Sequence, residues 1–98
     1  MDYVFEVIDK TGRKIRLTKK QWSHITMKHP QVAINKEHII ETLKKPLKII
    51  LPYDGDKYYY YNYYKQKEGP KKYLKVIVKY LNGDGFIITA LFEKTIKW

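Results

Sequence analysis

Ninety-eight residues with no cysteine, ten tyrosines and 20 Lys plus Arg against 10 Asp plus Glu give a formal charge of +10. This length supports one domain, read here as a single nuclease-like unit over 1–98, and no second core; the lack of cysteine excludes disulfides, thiol nucleophiles and cysteine-ligated metal centres. No apolar run approaches the ~20 residues of a membrane span and no basic segment leads into an apolar stretch, so a soluble, cytoplasmic chain with no membrane partner is expected.

Tyr3 to Ile8 and Lys14 to Leu17, joined through Thr11-Gly12, read as a short hairpin at the periphery. Thr18 and Gln21 have capping-box spacing, with Leu17 and Trp22 at the staple positions, so a first helix starts here and runs to about Lys28 before Pro30. Asn35 is the expected cap of a second helix, with Ile34 and Ile39 as its staple and Ile39, Ile40 and Leu43 as its apolar stripe; Pro46 ends it. Leu47 to Tyr53, Lys57 to Lys65, Lys72 to Leu81 and Gly85 to Glu93 then read as strands. The breaks fall at Asp54-Gly55-Asp56, Glu68-Gly69-Pro70 and Asn82-Gly83-Asp84. The expected class is α+β: an N-terminal hairpin and two helices packed on one face of a four-stranded antiparallel meander.

Alternation assigns Leu74, Val76, Val78 and Tyr80, with Phe86, Ile88, Ala90 and Phe92, to the core face of the last hairpin. Facing core sets require an odd loop, and a three-residue loop at 82–84 pairs Val78 with Ile88 and Ile77 with Thr89. Lys75 and Lys79 are then the diagonal neighbours of Thr89, ~7–8 Å away across the exposed face.

The histidines are the side chains that titrate near neutrality without tuning. His24 and His29 flank the end of the first helix; His38 belongs to the first turn of the second and reads as a solvated helix residue. Five residues correspond to about 140° of helical rotation, so His24 and His29 share a cleft only if Pro30 frees His29 to turn back. Their spacing is not that of a helical zinc pair, and Asp54 with Asp56 lacks the other ligands of a calcium loop, so neither metal nor cofactor is expected. The run 58–64 places Tyr58, Tyr60 and Tyr64 on one face of a strand and Tyr59, Tyr61 and Tyr63 on the other. One set packs; the other can stack on unpaired bases or bond phosphate, although tyrosine is also simply a good strand former.

Trp22-Ser23-His24-Ile25 followed by His29-Pro30, IIETLKKP over 39–46, YLKVIVK over 73–79 and FIITAL over 86–91 resemble the phage-associated nuclease-like domains grouped with barnase, EndoU, colicin E5/D and RelE. The resemblance covers roughly Ile15 to Lys97. It implies a sheet with helices on one face and an RNA cleft on the other, where the ribose 2′-OH attacks the adjacent phosphate without a metal. Carry-over reaches His24, His29, the lysine of the penultimate strand and Thr89. Leu91 stands where the pattern has tyrosine, and Lys28 where it has arginine.

Such cleavage needs a base for the 2′-OH, an acid for the departing 5′-oxygen and donors for the phosphorane oxygens. The expected set is His24 and His29 for proton transfer, Lys75, Lys79 and Thr89 for the phosphate, and Tyr59, Tyr61, Tyr63, Tyr73 and Lys28 for RNA binding. RNA and an acidic inhibitor protein are the expected partners. Two other readings stay open: a noncatalytic RNA-binding module, and a protein-interaction domain using the tyrosine-rich strand.

Overall fold

The computed structural model describes residues 3–32, 36–51 and 55–96. In chain order these form β1 (Tyr3–Ile8), β2 (Lys14–Thr18), α1 (Lys19–Lys28), a 3₁₀ turn (Pro30–Val32), α2 (Lys36–Lys44), β3 (Lys48–Ile50), β4 (Lys57–Tyr63), β5 (Tyr73–Leu81) and β6 (Asp84–Glu93). The expected Asn35 cap, the Ile34 staple position and the Asp54 turn residue lie outside the described residues.

The sheet is six-stranded and mixed, in the order β1-β2-β6-β5-β4-β3, and not a four-stranded antiparallel meander. The N-terminal hairpin is part of it: β2 runs parallel to β6, with Ile15 opposite Gly85 and Arg16 opposite Phe86. KIRL reads as one arm of a peripheral hairpin, because a parallel pairing joins segments some seventy residues apart and leaves no turn signal between them. The α+β class stands. Ile15 and Leu17 of β2 are fully buried beside Ile25 of α1, Ile39 and Leu43 of α2 and Leu74, Val76 and Val78 of β5. Both helices therefore cover one face, and among the described residues no helix packs on the other.

α1 begins as its sequence predicts. Thr18 is extended and its Oγ accepts from the Gln21 N–H at 3.1 Å, which satisfies one of the free donors of the first turn. The Gln21 side chain also reaches the sheet, its Nε2 donating to the Ile88 carbonyl. α2 stops at Lys44 ahead of Pro46, and the strand expected over 47–53 is the short β3.

The last hairpin departs from its expected register at a definable point. Asn82 and Gly83, at φ 54° and 86°, form a two-residue turn, so Leu81 pairs with Asp84. Positive φ at both central residues matches the twist of the flanking strands, which favours the tighter loop. Ile77 still faces Thr89, but Val78 faces Ile87, because Ile88 is an extra residue bulged out of β6. The bulge exchanges the faces of the first half of β6: Gly85 and Ile87 are buried in place of Phe86 and Ile88, while Ala90 and Phe92 keep the core positions read from alternation.

Candidate functional site

The bulge is where helix and sheet edge meet. β2 accompanies β6 only through Gly85 and Phe86; at Thr18 the chain becomes helical, and the Gln21 Nε2 donates to the Ile88 carbonyl. That carbonyl immediately precedes Thr89, whose side chain lies on the helix-free face with Ile77 opposite. Gln21, His24 and Lys28 are spaced i, i+3, i+7, which puts them on one flank of α1. Fixing Gln21 to the bulge therefore sets this flank along the edge of β6, with His24 and Lys28 exposed on it. His29 lies just beyond the helix, with non-helical dihedrals of φ −132° and ψ 74°. It caps α1, its N–H reaching the Ile25 carbonyl at 2.7 Å, and it is half-buried. His24 and Lys28 thus share the flank that Gln21 ties to β6, while His29 lies past the last helical turn, beside the 3₁₀ turn that packs on β6.

Across the open face the register makes Lys75 and Lys79 diagonal neighbours of Thr89, as expected, but neither is a bare cation. Lys75 Nζ sits 3.1 Å from Glu93 Oε2, with only 12% and 13% of the two side chains exposed. The same ammonium lies 5.0 Å from the ring centre of Tyr59 and 6.0 Å from that of Tyr61. Tyr61 is fully buried although no helix covers it, and its hydroxyl reaches Glu93 at 3.5 Å. Tyr59, Tyr61, Lys75 and Glu93 hence form one tucked cluster. Lys79 meets Asp56 at 3.7 Å with both side chains well exposed, an arrangement weak enough for an incoming phosphate to compete. Tyr63 is 45% exposed and leans on Tyr73, ring centres 5.0 Å apart.

Tyrosine faces follow the strand alternation. Tyr60 is in the core, Tyr58 and Tyr64 pack against it, and Tyr59, Tyr61 and Tyr63 lie on the opposite side. The correction is Tyr61, which serves packing and not an open ligand surface. Burial pushes the Tyr64 phenol up to about 12; its bond to Glu41 at 2.7 Å acts in the same direction and its contact with Thr42 opposes it.

Residue-type reasoning passed over two participants. Gln21 was legible as a cap, while its role as anchor depends on a bulge that has no local signature. Glu93 ends the last strand, and the register pairing Lys75 with Leu91 and Tyr73 with Glu93 makes Lys75 and Glu93 diagonal neighbours, so cross-strand charge complementarity was the available signal. Among the described residues no three His, Asp or Glu side chains gather as a metal-holding group. Comparison with family models, curated proteins and solved structures finds no match to this chain.

Proposed function

We infer that the protein is a small endoribonuclease that cleaves single-stranded RNA by attack of the ribose 2′-OH on the adjacent phosphodiester. The observation that carries this reading is the bond from Gln21 to the Ile88 carbonyl, which ties the flank bearing His24 and Lys28 to the strand bearing Thr89. The helix-free sheet face beside it, with its half-exposed tyrosines, supports the same reading, as does the nuclease-like order of the sequence motifs.

His24 is the proton-transfer group. A single imidazole takes the 2′-OH proton as the 2′-O–P bond forms and returns it to the 5′-oxygen as the P–O5′ bond breaks, which balances the step and leaves a 2′,3′-cyclic phosphate and a 5′-hydroxyl. The Thr89 hydroxyl donates to a non-bridging oxygen, and Lys28 and Lys79 meet the charge that develops on the phosphorane. Lys75, held by Glu93, stiffens the face and orients Tyr59. An acidic inhibitor protein is the complementary partner for a surface of charge +10, through the field that would attract RNA.

Incubation of the full chain with single-stranded RNA in EDTA tests this. Wild type is expected to yield cyclic-phosphate ends, His24→Ala to lose about 100-fold or more in kcat, and His29→Ala to stay within a few-fold. Absence of product, or equal cleavage by His24→Ala, overturns the proposal. Salt-sensitive RNA binding without product would instead identify a noncatalytic RNA-binding module.

A further inference from the structure

At the end of the sheet where β4 passes into the 65–72 segment, a cleft of about 500 Å³ opens between the 3₁₀ turn, the first turn of α2 and the end of β6. This volume lies within the range of small-ligand sites, about 300–1,000 Å³. Its aromatic wall is preformed. The Tyr64 ring stacks on His38, with centres 4.0 Å apart and planes 27° apart, and meets the Phe92 ring edge-on at 6.4 Å. The Tyr64 hydroxyl is fixed at 2.7 Å from Glu41 and 3.1 Å from the His38 carbonyl.

The rim is polar, with two lysines against one carboxylate, Glu68. Lys65 and Lys67 line the cleft, and Lys67 Nζ lies 4.5 Å from the Phe92 ring centre. Gln31 and Gln66 add amides that both donate and accept, as the edge of a base requires. The loop carrying these groups is braced: Tyr64 N–H bonds the Lys72 carbonyl at 2.8 Å, Lys67 N–H bonds the Tyr64 carbonyl at 3.1 Å, and Lys72 Nζ reaches the Lys67 carbonyl.

We propose that this cleft binds a nucleotide, its base against the aromatic wall and its phosphate at Lys65 and Lys67. An aromatic surface alone would accept any flat apolar ring, and the lysines alone any anion; both together, with two carboxamides, select a planar heterocycle that carries a phosphate. The nucleotide is either free or one residue of an RNA strand, and the RNA case rests on the ribonuclease reading above. In that case the cleft is a subsite at the end of the sheet, separate from the edge that bears His24.

Titration of the ¹⁵N-labelled full chain with adenosine 5′-monophosphate, ribose 5-phosphate and adenosine, followed by amide shifts, tests the assignment. The monophosphate is expected to move the amides of Gln31 and residues 64–68 saturably, with the two fragments each at least about tenfold weaker. His38→Ala, which removes the ring stacked on Tyr64, and Lys65→Glu should each weaken the monophosphate about tenfold, in line with loss of one stacking ring or one phosphate contact. No shift at these amides, or equal affinity in both variants, overturns the proposal. Displacement of the monophosphate by a short oligoribonucleotide identifies an RNA residue as the occupant, and failure of displacement a free nucleotide. The monophosphate bound in the cleft of a protein that cleaves no RNA would remove the ribonuclease reading and keep the cleft. RNA cleavage with no response to the monophosphate would do the reverse.

Discussion

Asp9, at the end of β1, shows how this small chain handles a buried charge. Its Oδ1 accepts from the Thr11 N–H at 2.9 Å, the Thr11 hydroxyl at 2.7 Å and the Arg13 N–H at 2.9 Å. Its Oδ2 accepts from the hydroxyls of Tyr60 and Tyr80, the latter at 3.2 Å. Desolvation works against ionisation, but the bonds from Tyr60, Thr11, Arg13 and Tyr80 outweigh it and hold the carboxyl below its ordinary 3.8. A depressed folded-state value means that the unfolded chain binds the proton more readily. The stabilisation is therefore present above about pH 4 and lost as pH falls through the lower folded-state value. Tyr60 and Tyr64 act with the opposite sign, since burial raises both phenols above 10. Their contribution is full below pH 10 and declines above it, for Tyr64 between 10 and about 12. Asp9→Asn is expected to cost about 1–3 kcal/mol at pH 7, by leaving hydroxyl and amide donors poorly matched. Denaturant unfolding checks this: the gap between wild type and variant should narrow at pH 3, and a constant gap would show that charge plays no part.

Among the elements, β6 carries the most structure per residue. It pairs antiparallel with β5 along its whole length and parallel with β2 over two residues, and it bulges at Ile88 to receive the Gln21 side chain. Gly85 is where three strands crowd: a Cβ there would stand 2.9 Å from Ile15 Cγ1, 2.9 Å from Tyr80 Cε1 and 3.0 Å from Val78 Cγ1. Gly85→Ala is expected to destabilise by about 1–3 kcal/mol, as overpacking does in a tight core. The shift should appear in the denaturant midpoint, and an unchanged midpoint would mean that β2 and β6 can separate without cost. With the tight Asn82-Gly83 turn, an extra residue in β6 is what returns Ala90 and Phe92 to the core opposite Val76 and Leu74.

For the molecule as a whole, the charge of +10 is unevenly available. On the open face Arg16 is held by Glu6 at 2.6 Å and Asp84 at 3.2 Å, Lys75 by Glu93 and Lys79 by Asp56. The field that reaches a distant polyanion therefore comes chiefly from α1, which has three lysines and no acidic residue, and from the segment holding Lys65, Lys67, Lys71 and Lys72. Each phosphate neutralised on a single strand adds about −0.7 to the slope of log affinity against log salt. A strand spanning the β6 edge and the nucleotide cleft, contacting about four phosphates, should give a slope of about −3. Filter binding between 50 and 200 mM salt measures it, and a slope near zero would rule out this mode of contact.

Local chemistry determined much of this protein before any tertiary contact. Thr18 and Pro30 bound the first helix, Pro46 stops the second, Asn82-Gly83 makes the turn, and alternation sorts Leu74, Val76 and Val78 from Lys75, Ile77 and Lys79, because each depends on neighbours within a few residues. The pairing of Ile77 with Thr89 was expected from a three-residue loop, and in the structure it arises instead from a two-residue turn offset by the bulge at Ile88. Tertiary structure alone decided that β2 joins β6 in parallel, that Ile88 bulges, and that Gln21 reaches past its own cap to that bulge. These are contacts between segments about seventy residues apart, and what selects them is the shape of the shared core, which no short stretch of chain contains.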